Sequence, residues 1–237
     1  KKLYLSSVLF FLSVQITSSV LGAIDPAHQH TTIHQNTAST YSTGDPVFFV
    51  NNGQWSTKVL AKAHLNIGDF WITQTGFVWN LIDTSAFELL HERTTQNLKI
   101  STQAVFMDFI NPTLFSSAKG QGSQSTEYYN FHNAKGSFSA SHKFGCVLIS
   151  NVWPGVDLEV KSFQNTIKYN WILHAGVNPN VIKWKYRGQN SLAVSSTKDY
   201  CEIKTNIVDW VEEIPAVYYL SNQRESAANS TAETQVS

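Results

Sequence analysis

Apolar and polar residues alternate with a period of two through most of residues 47–222, and this period is typical of β-strands. The clearest example is residues 157–173, which predict a hairpin whose arms meet at Gln164 and Asn165. One face of this hairpin is expected on a core and the other in water. The residues expected on the buried face are Leu158, Val160, Ile167, Tyr169, Trp171 and Leu173.

Short strands separated by turn residues are predicted along the rest of this region, and no segment longer than about ten residues has a helical period. The Gly/Ser/Gln-rich residues 116–126 are expected to form a mobile loop. The pattern therefore predicts an all-β fold, either an antiparallel β-sandwich or an open barrel of many short strands. The further strands are predicted at residues 59–65, 70–73, 77–81, 104–110, 181–187, 192–195, 200–205 and 208–211.

The first residues have the pattern of a secretory signal peptide. Two lysines precede an apolar run at Leu3–Val14, and small residues follow at Thr17–Ala23. We therefore predict a signal peptide over residues 1–23, with the mature chain beginning between Ser19 and Asp25. The apolar run is shorter than the roughly 20 residues of a membrane span. An N-terminal membrane anchor is the alternative, and no stable membrane span is expected after signal removal.

Polar segments flank the predicted domain of residues 47–222. Residues 24–46 are a Thr/Gln-rich linker that contains His28, His30 and His34. Spaced histidines can bind a metal, but the composition favours a disordered leader. Residues 223–237 are of low complexity and are typical of a linker to further domains.

Composition argues against a nucleic-acid partner and does not decide whether the two cysteines form a disulfide. Charged residues make up 14% of the chain and the formal net charge is zero, so no nucleic-acid partner is expected. In an oxidising compartment Cys146 and Cys201 would either form a disulfide or remain two separate buried thiols. Two cysteines alone do not make a structural zinc site.

Motifs of catalysis are missing from the sequence. There is no Gly-x-Ser-x-Gly nucleophile turn, and His91-Glu92 lacks the second histidine of a zinc protease motif because Thr95 occupies that position. Gly120 and Gly122 are not followed by the third glycine of a dinucleotide-binding loop. The prediction is a protein that is not an enzyme and has no catalytic, cofactor-binding or metal-ligating residues.

Two acidic pairs are candidates for the carboxylates of a glycosidase, because that chemistry needs only two. Asp157 and Glu159 share a strand face with Lys161 and lie across from Lys168 if the hairpin register is tight, so they are interpreted as cross-strand ion pairs on a solvated face. Glu212 and Glu213 stand at a strand end and are also expected to be solvated.

The tryptophans are the better candidates for function, since exposed aromatic rings on a β surface can stack on sugars. The alternative is that they fill the core, where aromatic side chains bury large areas. A position in the core is favoured for the tryptophans as a whole, and most clearly for Trp171. The tryptophans are Trp55, Trp71, Trp79, Trp153, Trp171, Trp184 and Trp210.

Several peptides, in order, resemble an N-terminal domain common in secreted Bacteroidota proteins. Many of those proteins carry downstream repeats and end in a domain associated with gliding motility or type IX secretion. The resemblance spans roughly residues 47–222. The peptides are residues 49–55 (FVNNGQW), 104–109 (AVFMDF), 128–131 (YYNF), 151–158 (NVWPGVDL), 169–182 (from Tyr169 to Ile182) and 215–218 (PAVY).

The chain also departs from this family pattern. The Gly-Asn-Asp-Pro-x-x-Trp run that usually follows the third peptide has no equivalent in residues 132–141, and Ala175 and Asn51 replace a proline and an acidic residue. The motif residues have structural interpretations as well. Gly53 and Gly155 suit turns that need positive φ, and Asp157 suits a bond to local backbone.

The resemblance implies where the protein acts and which kinds of domain accompany it in the same chain, but it implies no mechanism. The expected function is a non-catalytic, extracellular β module of a larger secreted or cell-surface protein, acting in adhesion, surface display or assembly linked to gliding or export. Expected partners are other domains of the same chain, surface proteins or glycans. A carbohydrate-binding module that uses exposed Trp and Tyr is the alternative, and an enzyme of unrecognised type is third.

Overall fold

The structure is a computed structural model that describes residues 3–11, 46–84, 99–113, 117–121, 128–133, 135–163, 166–214 and 216–219. These residues form antiparallel strands and one 3-10 turn, Pro179–Val181. The strands in chain order are β1 (Leu3–Phe11), β2 (Phe48–Val50), β3 (Val59–Leu65), β4 (Gly68–Thr73), β5 (Gly76–Ile82), β6 (Thr102–Phe109), β7 (Lys119–Gln121), β8 (Tyr128–Asn133), β9 (Gly136–His142), β10 (Cys146–Trp153), β11 (Val156–Phe163), β12 (Thr166–Leu173), β13 (Trp184–Arg187), β14 (Ser191–Val194), β15 (Tyr200–Lys204), β16 (Trp210–Glu213) and β17 (Ala216–Tyr219).

Two sheets and a separate hairpin account for these strands. The larger sheet has nine strands in the order β14-β15-β16-β1-β12-β11-β10-β7, with β17 also paired to β1. The smaller sheet has six strands in the order β13-β6-β5-β4-β3-β2, and β8 pairs with β9. The all-β prediction is confirmed, and of its two alternatives the β-sandwich describes the arrangement.

Aromatic rings from both sheets meet in the interior of the sandwich. Phe77 of β5 packs on Tyr169 of β12 with ring centroids 5.5 Å apart, and Trp79 packs on Trp210 at 5.7 Å. Edge-to-face and tilted contacts of this kind add to the stabilisation from burial alone. The sandwich is therefore held together chiefly by large rings contributed by alternate positions of facing strands.

The predicted hairpin is β11–β12, and its register is tight. Leu158 is paired with Trp171 and Lys161 with Lys168. All six residues expected on its buried face are at most 1% exposed, which confirms that prediction. The expectation that the other face is in water is wrong for part of the hairpin, because Asn170, Ile172 and Asp157 are 1%, 7% and 9% exposed.

A β-bulge interrupts the alternation of buried and exposed residues that the sequence predicts for β3. The register with β4 shifts between Val59 and Ala61, so Leu60 is an extra residue and is buried at 3% exposure. Beyond the bulge the alternation holds, with Ala61, Ala63 and Leu65 buried and His64 exposed. A bulge bends its strand and turns one more side chain inward, which an alternation count cannot anticipate.

The apolar segment predicted to be the core of a signal peptide forms β1 in the structure. Its backbone pairs with β12, where Leu5 is opposite Trp171, and with β16, where Leu9 is opposite Glu212. Signal cleavage stays a prediction, and the remainder of the predicted signal peptide, residues 1–2 and 12–23, lies outside the described residues. No helix among the described residues is long and apolar enough to span a membrane.

Two local predictions are corrected. Residues 119–121, expected within a mobile loop, form β7, which pairs with β10 so that Gly120 is opposite Val147. A Cβ at Gly120 would lie 2.4 Å from the Phe144 ring, so only glycine allows this close approach. The strand predicted from residue 181 begins at Trp184, because Asn178 caps the preceding 3-10 turn by accepting from the Asn180 N–H.

Candidate functional site

The tryptophans divide into four that are buried and three that are half-buried, and of the half-buried three Trp184 packs against the core. Trp79, Trp153, Trp171 and Trp210 are at most 3% exposed and belong to the core between the sheets, as the sequence favoured. Trp55, Trp71 and Trp184 are half-buried. Trp71 lies between the inward-facing Phe70 and Ile72 on β4, so the pleat places it on the outer face of the six-stranded sheet.

Strand register aligns Trp71 with apolar and basic residues across this outer face. Lys62 of β3 is opposite Trp71, which is opposite Val78 of β5, which is opposite Phe106 of β6. Arg187 of β13 pairs with Phe106 and ends the series. We call Lys62, Trp71, Val78, Phe106 and Arg187 the outer row. With strands about 4.8 Å apart, its two cations are separated by about 19 Å of sheet.

Both cations of the outer row lie over aromatic rings. The Lys62 Nζ is 4.6 Å from the centre of the Trp71 ring, and the Arg187 Cζ is 3.5 Å from the centre of the Phe106 ring. A cation over an aromatic face is attracted by the ring quadrupole. The outer row is thus a stripe with an apolar middle and a positive charge at each end.

Carboxylates in adjacent positions hold these cations in place. Asp69 accepts from Lys62 at 2.9 Å and contacts His64 at 2.7 Å, while Asp108 accepts from the Arg187 Nε at 2.6 Å. Burial raises the pKa of Asp69, but bonds from His64 and Lys62 outweigh it, so that pKa is lowered overall. Each cation is therefore shared between an aromatic ring and a carboxylate, which fixes its position on the sheet.

The hairpin β8–β9 extends the aromatic surface beyond the outer row. Trp55 packs on Trp71 at 5.5 Å and on Phe131 of β8 at 5.4 Å. Phe131 and Tyr129 then cover Phe49 of β2, at 5.3 and 5.1 Å. Phe49 is 3% exposed although it lies on the outer face, because the hairpin covers it. Trp71 of the outer row is thus connected through Trp55 to the aromatic rings of this hairpin.

A turn built by short polar side chains presents Trp55. The Asn51 Oδ1 accepts from the backbone N–H of Gly53 and of Trp55, at 3.0 and 3.2 Å. Gly53 has φ of +108°, a value that favours glycine, as the sequence predicted for this position. The Lys135 Nζ of the β8–β9 turn donates to the Trp55 carbonyl at 2.6 Å, so the hairpin and the turn are joined.

Ring orientation bears on the sugar-stacking hypothesis. The planes of Trp55 and Trp71 meet at 82°, and those of Trp55 and Phe131 at 70°, so these pairs form no flat platform. The most exposed aromatic residue described is Tyr128, at 62%, followed by Tyr129 at 41%, with Lys143 over the Tyr129 ring. Tyr128 is the described ring most open to stacking.

The acidic pair Asp157 and Glu159 has structural partners. Asp157 is 9% exposed, accepts from the Asn151 N–H at 2.8 Å and contacts the His174 Nε2 at 2.9 Å. The expected bond from Asp157 to local backbone is therefore confirmed. Glu159 accepts from the Asn170 Nδ2 at 2.5 Å and pairs with Lys161 at 3.3 Å. These contacts make the pair part of the sheet, but two details of the prediction are wrong. Asp157 is buried, and the ion pair of Glu159 runs along β11 to Lys161 and not across strands.

Glu212 differs from its predicted environment, because it is buried at 4% exposure while Glu213 is exposed. Its two carboxylate oxygens accept hydrogen bonds from the hydroxyls of Tyr169 and Tyr186. Burial raises the pKa of Glu212 to about 7, although the tyrosine bonds oppose the rise. Burial and the nearby Glu212 charge raise the pKa of Tyr186 well above its usual range.

The sequence contains one indication that Glu212 is buried, although its position at a strand end predicts a solvated side chain. Glu212 stands two residues after the buried Trp210, so period two places both on the inner face of β16. The tyrosine partners come from β12 and β13 of different sheets and could not be found from spacing. Glu212 is therefore a carboxyl group held in the interior, at the end of the sandwich where β13 and β16 approach.

The cysteines are both free thiols, one on β10 and one on β15. Burial and the Glu159 charge raise the pKa of Cys146 to about 11, and burial and Glu212 raise that of Cys201. Of the two alternatives that the sequence leaves open for Cys146 and Cys201, the structure has two separate thiols and no disulfide between them. The candidate residues His28, His30, His34, His91, Glu92 and Gly122 lie outside the described residues.

Comparison with known proteins gives one match. A model of the family described as a domain of unknown function, DUF7948, matches residues 48–231. No curated protein and no solved structure matches the chain. Because the match covers well over half of the chain, the protein belongs to this DUF7948 family.

Proposed function

We propose that this chain is a non-catalytic recognition and display module of a larger secreted or cell-surface protein, with the outer row as its contact surface. The observation that carries the proposal is that Trp71 and Phe106 are aligned on the outside of the sandwich, each beneath a cation. Aromatic residues and arginine are enriched where proteins contact partners. Carboxylates that fix both cations pre-organise the surface, which lowers the cost of binding.

Sequence features support the cellular setting that we propose. The signal-like residues 1–23 and the low-complexity residues 223–237 support export and attachment to further domains. The resemblance to N-terminal domains of secreted Bacteroidota proteins favours adhesion, surface display or assembly linked to gliding or type IX secretion. The partners would be other domains of the same chain, neighbouring surface proteins or surface glycans.

A binding experiment with intact cells tests the proposal. The fluorescently labelled chain is added to cells of the producing organism, and the bound fraction is measured for wild type, Trp71→Ala and Phe106→Ala. Each variant is expected to reduce binding at least tenfold, about the loss of a central aromatic contact. Lys204→Ala is the control, because Lys204 is an exposed cation on the other sheet. Wild-type binding by both aromatic variants would overturn the proposed surface.

The same experiment separates the carbohydrate-binding alternative, which the exposure of Tyr128 favours. Periodate treatment of the cells destroys vicinal diols of glycans, whereas protease treatment removes surface proteins. Loss of binding after periodate, together with loss in Tyr128→Ala and retention in Trp71→Ala, would replace the protein partner by a glycan. A parallel screen against glycoside, ester and peptide substrates is expected to detect no turnover, and turnover abolished by Asp157→Asn in a folded protein would make the chain an enzyme.

A further inference from the structure

A second site lies away from the outer row, where the two sheets part at one edge of the sandwich. The end strand of the six-stranded sheet, β13, and that of the nine-stranded sheet, β14, flank a pocket of about 200 Å³. This is below the roughly 300–1,000 Å³ of pockets for drug-sized ligands, so the ligand would be the size of one side chain. The lining residues are Trp184, Lys185, Tyr186, Leu192, Val194, Cys201, Glu212, Glu213 and Ile214.

The walls of this pocket are apolar and partly open to water. Leu192 and Val194 of β14 are 44% and 60% exposed, and both are among the large apolar side chains that the described surface leaves exposed. Trp184 and Tyr186 of β13 form the opposite wall. Adjacent exposed apolar side chains around a cavity are typical of a binding site. An aliphatic chain between these walls would cover surface that otherwise faces water.

The inner end of the pocket carries the Glu212 carboxylate. Each of its oxygens accepts one tyrosine hydrogen bond, from Tyr169 or Tyr186, and a carboxylate oxygen has room to accept a second. No lysine, arginine or histidine among the described residues forms an ion pair with Glu212. A buried carboxylate without a cation is costly, and a cation delivered by a ligand would remove that cost.

Charge and shape together select the ligand. The rim carries one charge of each sign, Lys185 and Glu213, so Glu212 supplies the net charge of the pocket. An anion would meet a like charge at the inner end, and an alcohol would leave the carboxylate without a counter-ion. The aromatic walls also favour a cation over a neutral group. An ammonium group on a short methylene chain satisfies the charged inner end and the apolar walls at the same time.

We propose that this pocket binds a primary alkylammonium group, with its methylene chain between Trp184 and Leu192/Val194 and its nitrogen donating to the Glu212 carboxylate. A free amine and the side chain of a lysine in a partner protein both carry this group. The binding chemistry is the same in both cases, and the inference does not depend on the outer row.

Calorimetric titration of the full chain with n-butylammonium tests the proposal, with n-butanol and butyrate as ligands of similar size, at about pH 8, where Glu212 with its pKa of about 7 is ionised. Butylammonium is expected to bind at least tenfold more tightly than either, and methylammonium at least threefold more weakly than butylammonium because it lacks the chain. Nα-acetyl-lysine-N-methylamide and 1,5-diaminopentane distinguish a lysine side chain from a free diamine. Equal binding of butanol and butylammonium would overturn the proposal, as would butylammonium binding no tighter than methylammonium.

Two variants locate the site. Glu212→Gln keeps the size of the side chain and removes its charge, so butylammonium affinity is expected to fall at least tenfold, while Glu159→Gln, the same change on the outer side of β11 and outside the pocket, is expected to leave it unchanged. Val194→Lys changes an exposed residue and places a like charge at the entrance, so it is also expected to weaken binding tenfold, with Val194→Gln as its neutral control. This second pair keeps the test decisive if Glu212→Gln does not fold, and unchanged affinity in Val194→Lys would then overturn the proposal.

Discussion

Two acidic segments that look alike in the sequence have different hydrogen-bond partners in the structure, because they lie on opposite sides of their strands. Asp157 and Glu159 lie on the outer side of β11, where an N–H, a histidine, an asparagine and a lysine satisfy them. Glu212 lies on the inner side of β16, where only tyrosine hydroxyls reach its oxygens among the described contacts. The difference shows that alternation fixes which residues share a face, whereas the opposing sheet decides which face is covered.

The largest effect on stability is expected for Trp171, which lies on the covered side of the same hairpin. Trp171 is 0% exposed and packs on Phe109 and Trp153, with centroids 5.2 Å away in each case. Trp171→Ala is expected to lower the free energy of unfolding by roughly 3–5 kcal/mol through lost burial and a cavity. Urea denaturation measures the change. Trp71→Ala, in the half-buried outer row, is the control and should cost clearly less.

The pH dependence of stability is the next largest effect, and Glu212 determines its sign. The folded pKa of about 7 exceeds the ordinary value of 4.5, so between these values the unfolded chain releases a proton that the folded chain keeps. The free energy of unfolding therefore falls as pH rises through this window, by roughly 3 kcal/mol in all. Below the unfolded pKa the contribution is complete, and above the folded pKa it is lost.

Glu212→Gln should remove this pH dependence, because a glutamine amide does not titrate. The variant is compared with wild type by urea denaturation at about pH 4.5 and about pH 8, the two ends of the transition. Its amide oxygen can still accept from one tyrosine, and its NH₂ can donate to the other hydroxyl. Glu213→Gln, one residue further on, is exposed and should keep the wild-type profile. A variant profile as steep as that of wild type would show that Glu212 is not the titrating group.

The hairpin shows how far the sequence predicts this molecule. Strong period-two alternation over Asp157–Leu173 placed six core residues correctly, and the turn glycines Gly53 and Gly155 have the expected positive φ of +108° and +73°. Predictions from local sequence patterns are wrong or silent where pairing between strands distant in sequence determines the structure. The bulge at Leu60, the strand at residues 119–121 and the alignment of the outer row all depend on strand pairing, which no local pattern contains.

The candidate sites were harder to predict for the same reason. The sequence identified the tryptophans as candidates and favoured the core for most of them, yet which ones face outward follows from the faces of β4 and of the turn at Asn51. Glu212 meets two tyrosines that are 43 and 26 residues away along the chain. A carboxyl group surrounded by partners so distant in sequence becomes visible only when both sheets are assembled.

A smaller effect is expected on the outer side of the hairpin, at Asp157. Asn151 has φ of +54° where the register of β10 and β11 shifts, and the Asp157 carboxylate holds its N–H. Asp157→Ala should lower the free energy of unfolding by about 1–2 kcal/mol, since it leaves that N–H without its acceptor. Asp157→Asn retains an acceptor oxygen and is the matched control, expected to lose less. Equal losses in both variants would mean that the carboxylate charge, and not the bond to Asn151, matters here.

The smallest effect is expected at Glu159, and it is the most direct test of the comparison with Glu212. The side chains of Glu159 and Lys161 are 23% and 37% exposed, and ion pairs open to water contribute little. Glu159→Gln also keeps an oxygen that can accept from the buried Asn170. Its free energy of unfolding should therefore stay within about 0.5 kcal/mol of wild type. Calorimetric unfolding at low and high salt checks this, since screening should remove any remaining difference. A loss as large as that caused by changing Glu212 would mean that the outer side of β11 is as closed to water as the interior, and the contrast between the two acidic segments would then disappear.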